Sequence, residues 1–422
     1  MNRDSDNRAA CLNCSHSCSV KSEIEGFYSK AKAALDSRSH LRNFVGELFE
    51  CLGQMVQNGD IQDAESLGIA LGASFDLCIS LLYTERVANL DWLYCQNAPP
   101  MSFYPYLKGC PRCGSLDSQA TIKAHKPSSD TIGRYTTACL AAILCEMCRV
   151  SRNGFEVRVL DASRGDVDLL IFDAQTLILC EVKASPLHLL PVCVRHSKPL
   201  EREDGNEKVP VESHQGVSIA DLENIPLYLY LVEERSFPLR WVSDGEKPYL
   251  MLESGRGTEG TCEILRAVSN AWAKMYAGYT SRWKEHTQLR WFTCGCGGSV
   301  DDSKNAPGLD RTDDIKKGVY QMLKIAEKYR RGCKEKRVRV ALLSNMHPVV
   351  HYEEYLKGFE DALWTHEDSI QQRMGKMVSV DSDDLFPFYD MLFTLTRSWF
   401  REERLEQAFS LQTLYHALGG SR

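Results

Sequence analysis

The chain is 422 residues long, 43% hydrophobic and 25% charged, with a formal net charge of −7 at pH 7. That length exceeds one ordinary core, so two or three domains are expected, and the composition is that of a globular protein rather than a disordered one. The negative sum argues only weakly against nucleic acid as a partner, because one basic cleft on an acidic protein is enough to hold phosphate.

No run reaches eighteen clean apolar residues. The nearest, Leu67–Tyr83, carries Asp76 and reads as a buried helix. The N-terminus, MNRDSDNRAACLNC, lacks the apolar centre of a signal peptide. A cytoplasmic protein without membrane attachment is expected. Seventeen cysteines in a reducing compartment point to metal ligands or small buried hydrophobes rather than disulfides.

Residues 1–20 are polar and hold Cys11, Cys14, His16 and Cys18. By type these form a full tetrahedral set, but so short a segment leaves little backbone to wrap an ion, and a tail is expected. Residues 21–98 repeat apolar side chains at helical spacing, as in Phe44, Leu48, Cys51 and Leu52, and predict a helical N-terminal domain. Asn97-Ala-Pro-Pro100 punctuates its end.

Residues 99–190 open with Cys110-Pro-Arg-Cys113-Gly, a knuckle in which backbone N–H groups can reach thiolates on a structural Zn²⁺. A second pair is needed. Cys294 and Cys296, in a glycine-rich Cys-Gly-Cys-Gly-Gly, are preferred. Cys145 and Cys148 are the alternative, although Cys148 falls on an apolar helical stripe with Leu140, Ile143, Leu144 and Met147. Lys126 and Ser128, on the loop between knuckle and helix, are candidate phosphate contacts. The helix runs through Val150 and ends at Gly154, and a strand follows over 156–160.

The next stretch, Gly165–Pro186, reads GDVDLLIFDAQTLILCEVKASP. Two apolar runs, Leu169–Phe172 and Leu177–Cys180, flank a polar break and predict a hairpin of buried strands. Asp168, Glu181 and Lys183 interrupt the grease. Glu181 and Lys183 are two apart and share a face. With the turn centred between Ala174 and Gln175, Asp168 lies across from Glu181. Unpartnered buried charge is costly, and a divalent cation supplies the compensation. Two carboxylates suit Mg²⁺, which completes its shell with substrate phosphate and water.

GDVDLL followed by ILCEVKAS resembles the PD-(D/E)XK nuclease superfamily, in particular its type II restriction-endonuclease-like members. The usual Pro-Asp appears here as Val167-Asp168, and the second half as Glu181-Val182-Lys183. The resemblance covers about twenty residues. It implies an α/β fold with a mixed central sheet flanked by helices, and Mg²⁺-dependent phosphodiester hydrolysis. Asp168 and Glu181 would hold the metal, and Lys183 would position the water. Such cores often carry a further acid on the preceding helix, where Glu146 is the one carboxylate.

Residues 191–306 predict an inserted subdomain, with strands near Pro226–Val232 and Tyr249–Leu252 and an amphipathic helix over Cys262–Tyr279. Residues 307–349 resume the core as a helix, N-capped by Thr312, and a strand over Arg337–Leu343. This is the most basic stretch, and Lys316, Lys317, Lys324, Arg330 and Arg331 are candidate DNA contacts. Residues 350–422 read as helices. The expectation is a Mg²⁺-dependent endodeoxyribonuclease acting on double-stranded DNA as a homodimer. Its rivals are a nonspecific defence or repair nuclease and an inactive DNA-binding scaffold on the same fold.

Overall fold

The structure is a computed structural model. It describes residues 22–23, 25–26, 39–84, 91–97, 100–103, 129–160, 166–190, 192–213, 215–218, 227–231, 236–243, 248–253, 258–281, 306–330, 337–365, 370–373, 376–380 and 385–421. Over these residues the protein is mixed α/β. Helices α1 (Ser39–Gln57) and α2 (Ala64–Thr84) lead into strands β1 (Asp91–Cys95) and β2 (Met101–Phe103). Helix α3 (Ser129–Ser151) follows, then β3 (Glu156–Val159), β4 (Leu169–Phe172), β5 (Thr176–Val182) and β6 (Val192–Arg195). Next come β7 (Glu201–Asp204), β8 (Glu207–Pro210), β9 (Gly216–Ser218), β10 (Leu227–Tyr230), β11 (Ser236–Ser243), β12 (Pro248–Leu252) and α4 (Thr258–Thr280). The C-terminal part holds α5 (Thr312–Arg330), β13 (Arg337–Ser344), α6 (Tyr352–Tyr355) and β14 (Leu363–Trp364). It continues through β15 (Ile370–Arg373), β16 (Lys376–Val380), β17 (Phe386–Pro387), β18 (Met391–Thr394), β19 (Trp399–Phe400), α7 (Glu403–Phe409) and α8 (Leu411–Ala417).

The central sheet runs β19-β18-β13-β5-β4-β3. Strands β3, β4 and β5 form an antiparallel meander, whereas β5, β13 and β18 are mutually parallel. A parallel return needs a crossover, and here the chain between β5 and β13 supplies it. Period-two alternation divides the sheet into two buried faces. Leu169, Ile171, Ile178, Cys180, Ala341 and Leu343 join the core built with α1 to α4. Leu170, Leu177, Leu179, Val340 and Leu342 join a second core under α5. All seven residues of β5 are buried, which explains its near-continuous apolar sequence.

A second, antiparallel sheet runs β12-β11-β10-β6-β2-β1-β9. It joins strands from before the β4–β5 hairpin, β1 and β2, to strands from after it. Asn97 lies between β1 and β2, which pair at Cys95 and Met101, so the chain on both sides of this break belongs to one sheet. Helix α4 of the expected insertion likewise packs on α1 and α2 rather than standing apart. Its Trp272 fills the notch left by Gly72, where a Cβ would lie 2.6 Å from the indole, and donates its Nε1–H to Asp76 at 2.8 Å. A Cys51–Cys262 disulfide also joins α1 to α4, against the expectation of reduced cysteines. Both residues fall on the apolar seam between those helices. Cys78, Cys139, Cys180 and Cys193 are buried free thiols.

Helix α2 is, among the described residues, the one long and apolar enough to cross a membrane, and it is largely buried inside the fold. Residues 350–422 depart from the helical expectation. The described residues there include the short strands β14 to β19, and β18 is a buried strand of the central sheet. Their aromatics pack as pairs, such as Tyr389 with Trp399, rather than along a helical stripe.

Candidate functional site

The site is built at the end of the β4–β5 hairpin. The turn is set by Asp173, whose Oδ1 accepts the N–H groups of Gln175 at 2.8 Å and Thr176 at 2.7 Å. This Asx-type turn pairs Phe172 with Leu177 and carries the register to Leu169 opposite Cys180. One step further, Asp168 faces Glu181. There the ladder breaks. The Asp168 amide donates to Cys180 O at 3.0 Å, and its Oδ2 accepts the Val182 N–H at 2.8 Å. The side chain thus takes over a ladder bond and is pinned beside Glu181.

Parity places Asp168, Glu181 and Lys183 on the face covered by α5. Glu181 follows Leu177 and Leu179 on that side, and Asp168 precedes Leu170. The Lys183 ammonium pairs with Glu181 Oε1. Its backbone N–H donates to Leu343 O at 2.9 Å, fixing the strand end against β13. Helix α5 lies over the pair, and a Cβ on Gly318 would come within 3.5 Å of Lys183 Cγ. The segment before α5 is tied to the same strand end, since Gly308 N–H donates to Ser185 O at 3.1 Å and Ser185 N–H to Asn345 Oδ1 at 3.2 Å.

Glu181 is only 5% exposed. Burial first, and then the neighbouring Asp168 charge, push its carboxyl from the usual 4.5 up to about 7, with Lys183 pulling the other way. Burial works against the charge on Lys183, but Glu181, Asp168 and Asp314 outweigh it and hold the ammonium above its ordinary 10.5. The site thus holds a buried carboxyl that titrates near neutrality beside a firmly charged lysine.

A pH test follows from the direction of the Glu181 shift. Below about pH 4.5 the group is protonated whether the chain is folded or not. Between about 4.5 and about 7 the unfolded chain ionises it while the fold keeps the proton, so stability drains away as pH rises. Relative to Glu181→Gln, the metal-free wild type should lose about 3 kcal/mol across that window and nothing further above it. Urea unfolding of both proteins in chelator at stepped pH measures this, and parallel curves would contradict it.

The other candidate residues scatter. Glu146 is buried on α3 against Gly46 of α1 and pairs with Arg149 at 2.6 Å. That partner is a helix neighbour rather than the hairpin carboxylates. Glu146 is buried because α1 covers that side of α3. Cys148 lies in the core and Cys145 packs against it. Burial pushes the Cys148 thiol up to about 12 and raises Cys145 as well. Cys110, Cys113, Cys294, Cys296, Lys126, Ser128 and Arg331 lie outside the described residues, as do Cys11, Cys14, His16 and Cys18.

Lys316 and Lys317 are exposed on α5, and Lys324 pairs with Asp166 at 2.6 Å. Arg330 corrects the expectation of a DNA contact. Its side chain is 5% exposed and bonds Asp390 Oδ2 at 2.6 Å, so it is an internal ion pair. Thr312 is the first residue of α5 rather than its cap, and its hydroxyl meets His351 Nε2 at 3.1 Å.

Two residues that the sequence did not single out belong to this site. Asp314 acts on the Lys183 charge from α5, and Gly318 gives the helix its close approach. Asp314 reads from sequence only as a first-turn acid. Its role depends on where α5 lands.

Among the described residues no group of three or more His, Cys, Asp or Glu is placed to hold a metal ion. The donor set at the hairpin is two carboxylates, the number Mg²⁺ takes when substrate phosphate and water complete its shell. No protein-family model, curated protein or solved structure matches the chain.

Proposed function

We propose that the chain is a Mg²⁺-dependent endodeoxyribonuclease of the PD-(D/E)XK type, acting on double-stranded DNA in the manner of a type II restriction endonuclease. The observation that carries this reading is the convergence of Asp168, Glu181 and Lys183 at one end of two otherwise apolar strands. Support comes also from the order of elements. A helix, an antiparallel three-strand meander, a helix and a parallel strand come in that order as α3, β3, β4, β5, α5 and β13, with β6 to β12 and α4 inserted between β5 and α5. Asp168 and Glu181 would hold the ion. When bound, Mg²⁺ supplies charge that stabilises the phosphorane-like transition state and lowers the pKa of water. Lys183 orients the attacking water and offsets charge growing on the scissile phosphate.

The exposed stripe of α5 supplies the substrate contact. Lys316, Lys317, Tyr320 and Lys324 follow one another at spacings of one, three and four residues and are exposed, Tyr320 by 64%. Lysines on a helix that also covers the site give a phosphate-binding track. Symmetric cutting of both strands is most simply done by a homodimer with two such sites. The protein is read as cytoplasmic, where it would meet DNA.

Digestion of plasmid and genomic DNA in Mg²⁺, with sequencing of the ends, tests the reading. Discrete fragments sharing one end sequence are expected. A smear would replace site specificity with a nonspecific nuclease. DNA binding without any cutting would favour a scaffold on the same fold.

A further inference from the structure

Lys183 pairs with Glu181 Oε1, on the same carboxylate that a cation would take. A cation drawing on Glu181 would weaken that pair, and a largely buried ammonium then needs another counter-charge. Two groups other than Glu181 act on it from within the site, Asp168 and Asp314. Asp168 would itself be engaged with the ion and already accepts the Val182 amide. Asp314 remains. It stands one helical turn before Gly318, so the two share a side of α5, and Gly318 lies beside the Lys183 stem. The missing side chain at Gly318 leaves the lysine stem a path along the helix. A Cβ there would crowd Leu342 at 3.1 Å and lie in ordinary contact with Lys183 Cγ at 3.5 Å. Arg311 approaches Asp314 only at 3.6 Å, a loose pairing.

Resting on the nuclease reading above, we propose that Asp314 is a positioning residue that receives the Lys183 ammonium when a divalent cation takes Glu181. It thereby frees the metal site and sets the lysine beside the phosphate. Asp314 acts through Lys183 and does not ligate the ion. The nuclease reading assigns it no role.

A double-mutant cycle on metal binding separates these roles. Mn²⁺ binding to the full chain without DNA is measured by calorimetry for wild type, Asp314→Asn, Lys183→Met and the double variant. Asp314→Asn should raise the Mn²⁺ dissociation constant about tenfold when Lys183 is present, and by less than about twofold in the Lys183→Met background. Asp314→Glu should restore most of the affinity. An equal loss in both backgrounds would make Asp314 a direct ligand or a general charge and overturn the proposal. So would no loss in either. Wild type that fails to bind Mn²⁺ at all would sink the nuclease reading itself, a result distinct from a wild type that binds and a cycle that shows no coupling. On the cleavage side, Asp314→Asn should lower kcat at saturating Mg²⁺ while leaving KM for DNA within about twofold, since phosphate contacts elsewhere set affinity.

Discussion

Lys183→Ala should lose DNA cleavage by several orders of magnitude while still binding DNA nearly as tightly as wild type. The substitution removes one ammonium from the end of β5 and leaves Asp168, Glu181 and the α5 lysines in place. Affinity rests on phosphate contacts, which are untouched. The rate rests on a charge placed where the transition state develops it, and that charge is gone. Asp168→Ala and Glu181→Ala should abolish cutting by a different route, through loss of metal. Asp168→Ala also removes the acceptor of the Val182 amide, at a cost of about 1–3 kcal/mol for a buried unsatisfied group. Gel shifts in Ca²⁺ and cleavage in Mg²⁺ on the same DNA read both quantities. Lys183→Ala that cuts like wild type would remove the lysine from the chemistry.

The second large effect is on stability. Arg330→Ala should destabilise the protein by about 3–5 kcal/mol, because it strands a carboxylate in the core. Asp390 is 2% exposed on its side chain. It also accepts the Val340 N–H at 2.8 Å, where the chain enters β18 beside β13. Arg339 stands farther off, at 3.9 Å, and is engaged by Glu402, so it cannot replace Arg330 fully. Replacing both partners, Arg330→Met with Asp390→Leu, should cost less than the sum of the two single changes, since neither then faces an orphaned charge. DNA affinity per folded molecule should not change, which separates this arginine from Lys316 and Lys317. Thermal and urea unfolding measure the first effect. A stable Arg330→Ala protein with weakened DNA binding would return Arg330 to the DNA face.

Much of the site was legible because it is local. A hairpin is set by neighbouring residues, and period-two alternation shows which side chains share a face. The turn at Asp173–Thr176 could be centred from sequence, and the Asp168–Glu181 meeting followed from counting. Asp314 was not legible, because the distance between α5 and β5 is set by tertiary packing through Gly318 and Leu342. Arg330 misled for a related reason. A basic run at the end of a helix looks solvated until the buried Asp390, sixty residues later, is known to lie against it. The burial of Glu146 was not legible because one apolar stripe marks one covered face, and α3 packs against α1 on another. The C-terminal strands were missed because segments of two to five residues carry too little alternation to outvote a scatter of aromatics. The second sheet escaped since β1 and β2 find their partners about a hundred residues away, across the hairpin.

The central claim is that Asp168, Glu181 and Lys183 form a divalent-metal centre that cuts DNA. Incubation of purified full-length protein with supercoiled plasmid in Mg²⁺, against matched reactions in EDTA and in Ca²⁺, tests it most directly. Nicked and then linear plasmid in Mg²⁺ alone is the expected result. Intact supercoiled plasmid in both Mg²⁺ and Mn²⁺, at protein concentrations that shift the same plasmid in a gel, would contradict it.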